Sequence, residues 1–213
     1  MTYLEIVNKI LVRLRENEVT TVSQNSYSKL IGSLVNSVKH DIEDAYDWSA
    51  LRTTITANTT AGIYSYVLTD ADIRTKIIDV INDTTNYHLT YQTTTWFDTA
   101  FLTSDPLIAL PNYWNLNGVS ADGFHQVDLY PIPDATYAIR FNVIRPQAEL
   151  TLDSEALLIP YQLVVEGVLA RAISERGEDG GYQEQEARFA RMLSDYIAIE
   201  SGNRPDESIW YPI

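Results

Sequence analysis

Apolar positions set out helices at both ends of the chain. Leu4, Val7, Leu11 and Leu14 recur at helical spacing behind Thr2 and Glu5, which have the spacing of a capping box, and the run halts at Glu16-Asn17-Glu18. A second stripe, Leu30, Ile31, Leu34, Val35, Val38, Ile42, Ala45 and Tyr46, predicts a longer helix reaching Trp48. Helical spacing returns after Pro160, expected as a first helical residue, with Leu163, Val164, Val168, Leu169, Ala172 and Ile173 as the stripe and Gly177 as the stop. Gly180-Gly181 reads as a turn. Tyr182, Gln185, Phe189, Leu193, Tyr196 and Ile197 then mark a fourth helix ending at Ser201-Gly202.

Between Leu51 and Pro146 the pattern changes to Thr, Tyr, Val and Ile in short runs broken by turn residues such as Asn58-Thr59-Thr60-Ala61-Gly62. Strands are predicted over Thr53–Ala57, Ile63–Val67, Ile77–Ile81, Tyr87–Tyr91, His125–Leu129 and Tyr137–Ile144, with a short helix over Thr94–Leu102. In the last strand Tyr137, Ile139, Phe141 and Val143 alternate with Arg140 and Asn142, as expected of a strand with one wet face. Without long helices between them, such strands suggest an antiparallel sandwich or barrel rather than βαβ units.

The expected fold is therefore α+β. Residues 1–50 and 151–202 would form a four-helix bundle of two N-terminal and two C-terminal helices, closed by the chain ends. An antiparallel β domain, 51–150, would be inserted at one end, and 203–213 would form an extended C-terminal tail. That tail carries Ile209, Trp210, Tyr211 and Ile213, which disordered tails normally lack, so it is expected to pack either on the chain's own helices or on a partner.

At 213 residues a core can form without metal or disulfide, and the absence of cysteine removes thiolate zinc sites and cysteine nucleophiles. Glu5 and Lys9 interrupt the first apolar pattern, so it is neither a signal-peptide core nor a membrane span, and the mature chain is expected to begin near Met1. The net charge of −14 is uneven: residues 1–50 hold 5 basic and 7 acidic groups, 51–150 hold 5 and 10, and 151–213 hold 5 and 12. This balance opposes wrapping of nucleic acid, which needs Lys and Arg to release counterions, but an acidic wall would let DNA pass without sticking.

Catalytic signatures are absent: no Gly-x-Gly-x-x-Gly, P-loop, nucleophile elbow or His-Glu-x-x-His occurs. His40 and Asp44 have a spacing that could hold a metal, without a third ligand, and read as ordinary polar residues facing solvent. Glu166 with Asp128 or Glu155 could supply the two carboxylates of a glycosidase, and Trp96, Phe97, Tyr113 and Trp114 either a sugar-stacking surface or core. Asn58-Thr59-Thr60 and Asn82-Asp83-Thr84 match the glycosylation pattern without a secretion signal. No catalytic residue, metal or cofactor is assigned.

Three stretches carry a resemblance: Ala45-Tyr46-Asp47-Trp48-Ser49-Ala50-Leu51-Arg52 at the end of the helical entry, Asp128-Leu129-Tyr130-Pro131-Ile132-Pro133-Asp134 between β runs, and Arg140-Phe141-Asn142-Val143-Ile144-Arg145-Pro146 before the last helices. In this order they resemble the head-to-tail adaptors of short-tailed phages, the tail tubular protein A family. The resemblance implies a non-enzymatic virion protein, assembled in the host cytoplasm. It would form a ring, of twelve subunits in the family, joining the portal protein to the tail nozzle and fibres. DNA would pass through the channel without specific binding, and no membrane is involved.

Carried onto this chain, the resemblance makes Arg204, Ile209, Trp210, Tyr211 and Ile213 portal-docking candidates. Trp114, Asn117 and Phe124 become candidates to face the nozzle or a neighbouring subunit, and Glu184, Glu186, Asp195 and Glu200 candidates to line the channel. Another tail or fibre-attachment component is the nearest rival reading, and a two-carboxylate carbohydrate enzyme a more distant one.

Overall fold

The computed structural model describes residues 1–102, 105–177 and 179–202. Met1–Leu51 and the chain from Gln147 onward form one compact unit, and Arg52–Pro146 forms another.

In the first unit, α1 (Tyr3–Arg13) starts from the expected box: Thr2 accepts the Glu5 amide, and the Glu5 carboxylate accepts the Thr2 amide. Asn25 and Ser28 exchange the same bonds at the start of α2 (Ser26–Ala45). That helix ends earlier than expected, because Tyr46 is fully extended. Trp48, 2% exposed, folds back so that its indole N–H donates to the Ile42 carbonyl at 2.6 Å, satisfying one of the acceptors that a helix end leaves open. A 3₁₀ turn, Ser49–Leu51, closes the segment.

Five α-helices occur among the described residues: those two, α3 (Thr94–Phe101), α4 (Tyr161–Glu175) and α5 (Asp179–Gly202). Pro160 precedes α4 as its cap rather than its first residue, and Gly177 takes the left-handed conformation (φ +70°) that ends it. Gly180 and Gly181 lie inside α5, so the reversal is tighter than their sequence suggested.

The expected four-helix bundle carrying an inserted β domain does not describe this fold, although the α+β class holds. Ile6, Val7, Ile10 and Leu11 of α1, Ile31, Val35, Val38 and Ile42 of α2, and Leu163, Val164, Val168 and Leu169 of α4 are buried. No residue of α5 with a described side chain is fully buried. The core thus belongs to three helices, while α5 lies principally against α4 and closes nothing. This also explains why Leu163–Ala170 is buried nearly all round: α4 is covered on both sides.

The second unit is a sandwich of two four-stranded sheets. In one the order is β1–β8–β3–β4 (Arg52–Asn58, Ala138–Ile144, Lys76–Asn82, Tyr87–His88). In the other it is β2–β7–β6–β5 (Ser65–Asp72, Phe124–Tyr130, Tyr113–Val119, Thr90–Tyr91). Leu68, Ala71, Val127, Leu129 and Trp114 from the second sheet meet Val80, Ile139, Phe141 and Val143 from the first in one core.

The β unit is not wholly antiparallel, because β5 runs parallel to β6. The single strand expected over Tyr87–Tyr91 is divided: Leu89 turns inward at 6% exposure, leaving β4 in one sheet and β5 in the other. Strand β6 lies where a loop was expected. The Tyr130-Pro131 bond is cis, and α3 covers the outer face of β6 and β7 through Trp96 and Phe97, whose rings meet Tyr113 and Tyr130.

Gly167 sits where side chains from α2 and α5 press on α4. A Cβ there would sit 2.7 Å from Val38 Cγ1 on α2 and 3.0 Å from the Phe189 ring on α5. Gly167→Ala is therefore expected to destabilise the first unit by about 1–3 kcal/mol, read as a lower urea midpoint with an unchanged denaturant slope.

Candidate assembly surfaces

Helix α5 is the most exposed long element of the first unit. Its 24 residues span about 36 Å at helical rise. Tyr182, Gln185, Phe189, Leu193 and Tyr196 form a half-buried row. The Tyr196 hydroxyl bonds the Gln162 side chain on α4. Ile199 is left 60% exposed.

The polar centre of the seam is Glu166 on α4, 6% exposed. Arg13 of α1 donates to both its oxygens, at 2.6 and 3.3 Å, Gln185 of α5 donates to Oε2, and Arg188 approaches to 3.5 Å. Burial works to raise this carboxyl, but the bonds from Arg13 and Gln185 and the charges of Arg13 and Arg188 outweigh it and hold the pKa below its ordinary value. Glu166 therefore ties three helices together and is engaged as an anion. The convergence of Arg13, Gln185 and Arg188 on Glu166 is not legible in the sequence, since helical spacing identifies partners within one helix and not across three.

The channel-lining candidates all fall on α5 but not on one face. Glu184 and Asp195, about three turns apart, lie on the same side with Arg188 and Arg191, which makes that side mixed in charge. Glu186 takes a hydrogen bond from the Tyr182 hydroxyl, which raises the tyrosine pKa. Glu200, half-buried, accepts the Ser49 amide at 2.7 Å and so braces the turn after α2. The portal-docking candidates Arg204, Ile209, Trp210, Tyr211 and Ile213 lie outside the described residues.

In the β unit the neighbour-facing candidates separate. Trp114, 7% exposed, is core and packs edge-on to Tyr91, so it is not a surface contact. Phe124 is half-buried at the start of β7, and Asn117 is exposed. Asn117 is the extra residue of a bulge between Leu116 and Gly118, where Gly118 has φ +130°. Because β5 pairs only with Tyr113 and Trp114, the rest of β6 has β7 as its one strand neighbour among the described residues. Along that edge Leu116 and Val119 are 38% and 43% exposed. Uncharged edges of this kind are templates for another chain.

The carboxylates weighed for hydrolysis have structural surroundings. Glu155 accepts the amides of Leu152 and Thr151, which lowers its pKa, and Glu166 is engaged as above. Asp128 lies on the other unit, beneath α3. Trp96 and Phe97 pack with Tyr113 and Tyr130 rather than presenting a stacking platform, Phe97 being 2% exposed. Among the described residues no group of three His, Asp or Glu side chains is placed to hold a metal, and no helix is long and apolar enough to cross a membrane.

A family model described as SU10 adaptor protein matches residues 1–209. No curated protein matches the chain.

The Glu166 seam has a measurable pH signature. Its pKa is lowered on folding, so its contribution to stability is complete above the unfolded value of about 4.3 and is lost as pH falls through the folded value. Glu166→Gln is expected to lose about 1–3 kcal/mol near neutral pH, towards the lower end because the Arg13 side chain is 36% exposed and screened. In chemical unfolding the deficit against the parent protein should shrink as pH drops towards about 3.

Proposed function

Since the chain belongs to the SU10 adaptor protein family of phage head-to-tail adaptors, and is thus a structural component of the virion, we propose that it forms a ring between the portal protein and the tail nozzle and fibres, extending the DNA channel. The observation that carries this reading is α5, a long helix held along one seam with no fully buried residue among those with described side chains. In a ring, each subunit offers one surface to the next and a different one to the last. A helix half-covered by its own chain fits such a contact, because the neighbour supplies the missing side.

The acidic surplus supports a channel role, since a wall of like charge lets DNA slide without specific binding. On α5 the proposed lining is mixed in charge, with Glu184 and Asp195 flanking Arg188 and Arg191 on one side. The terminal segment is proposed to dock in the portal, with Trp210 and Tyr211, flanked by Ile209 and Ile213, as anchors in an apolar cleft and Arg204 on an acidic rim. Asn117 and Phe124 are proposed to meet the nozzle or the adjacent subunit. Twelve subunits, and assembly in the host cytoplasm, follow from the family resemblance.

The first test is native mass, alone and after mixing with the portal ring encoded with it. A monomer that converts to a portal-bound ring of matching subunit number supports the proposal. A monomer that ignores the portal but binds the fibre overturns it in favour of a fibre-attachment protein. Ile199→Asp should leave the monomer's stability within about 0.5 kcal/mol while reducing ring formation on the portal at least roughly tenfold, equivalent to about 1.4 kcal/mol of contact. Removal of residues 204–213 should likewise leave a folded monomer, now unable to join the portal. Unchanged portal binding by that truncation would remove the docking assignment.

A further inference from the structure

The outer face of the β2–β7–β6–β5 sheet carries a polar row beneath α3 that the adaptor role does not use. Ser65, Asp128 and Asn115 stand directly opposite one another on three adjacent strands and so share a face. Asn115 is fully buried and Asp128 is 6% exposed, yet Oδ1 of each lacks a hydrogen-bond partner among the described residues. Buried acceptors are normally satisfied, and two neighbouring exceptions ask for something positive between them.

The surroundings define what that is. The Asn115 amide nitrogen donates to Thr94 Oγ1 at 3.2 Å, which fixes the first turn of α3 over the row. Asp98 follows Thr94 by one helical turn and remains exposed. Burial raises the Asp128 carboxyl, hydrogen bonds from Ser65 and Asn117 oppose that, and the charge of Asp98 raises it further, so the two carboxylates repel. His125 stands on the opposite, core-facing side of β7, leaving an all-oxygen donor set.

We propose that Asp128 Oδ1, Asn115 Oδ1 and the Asp98 carboxylate bind a hard divalent cation, pinning α3 to the sheet. The inference is independent of ring formation. Oxygen donors without sulfur or imidazole select calcium, magnesium or manganese over zinc. An irregular set from two strands and a helix suits calcium, which accepts six to eight oxygens flexibly, with water filling the open side at Asp98. With only two carboxylates the affinity falls in the weak range, on the order of 10⁻⁴–10⁻³ M.

Trp96 supplies the probe. Its ring lies tilted against Tyr113 at 4.8 Å and edge-on to Tyr130 at 5.5 Å, the aromatic pair next along the strands from Asn115 and Asp128. Terbium titrated into the full chain should give saturable emission sensitised through these rings and displaced by calcium, and calcium should raise Tm relative to chelator. Asp98→Asn, at an exposed position, should leave the fold intact and weaken both effects about tenfold. Asp128→Asn should abolish them. Emission that is absent, or equal in parent and both variants, would overturn the proposal. The two oxygens would then be satisfied by a reversed Asn115 amide, with its nitrogen on Asp128 and the Thr94 hydroxyl donating to Oδ1.

Discussion

The first unit depends on how α2 grips the chain as it returns from the β unit. Asn36, Lys39 and Glu43 lie on one side of that helix, and the returning segment from Gln147 to Leu150 is bonded to all three. Lys39 donates to the Gln147 carbonyl, Glu43 accepts the Gln147 amide at 3.1 Å, and Asn36 exchanges two bonds with Leu150 at 2.9 and 3.0 Å. Lys39 and Glu43 also pair with each other, at 3.2 Å and 0% side-chain exposure. Burying an ion pair gains little over an apolar pair of the same shape, whereas removing one partner strands a charge. Its value here is positional: it sets where the segment ahead of α4 begins.

The same device recurs at smaller scale. Asn8 of α1 exchanges two bonds of 2.9 Å with the backbone of Val19, as Asn36 does with Leu150, so in each case a helix side chain replaces the neighbouring strand that an extended residue would otherwise need. Gln147 continues outward, donating to the Ala156 carbonyl and accepting the Leu158 amide, while Asp153 accepts the Val22 amide. Irregular segments of the first unit are thereby held by named polar groups, and its apolar core can remain a three-helix affair.

The parts legible in the sequence were those where local chemistry and burial agree. The Thr2 and Glu5 box, the stripe of α2, the short helix α3 and the alternation of β8 all have a single reading. Strand β6 does not, because Asn115, Asn117 and Gly118 depress strand propensity and the bulge breaks the alternation. The spacing of α2 gives no sign that Lys39 and Glu43 are buried, since only the returning chain makes them internal. The periodicity of α5 shows an apolar face but not how deeply it is buried, and that difference separates a bundle from three helices with a fourth laid alongside. Surface candidates were the least legible: Trp114 has the composition of a contact residue and the position of a core one, and nothing in the chain alone indicates which surface of α5 a partner would choose.

Gly167 has a mechanical meaning beyond its packing. With no side chain there, the Phe189 ring settles against the α4 backbone, and α5 rests on α4 through a few rings and the polar knot at Glu166. A helix seated in this way is a leaf laid on the three-helix core rather than part of it. No α5 residue with a described side chain is fully buried, so a small change in its angle would cost the core little. In the ring proposed above, such leaves would absorb small errors in the angle between successive subunits at little energetic cost, which would favour closure over an open spiral.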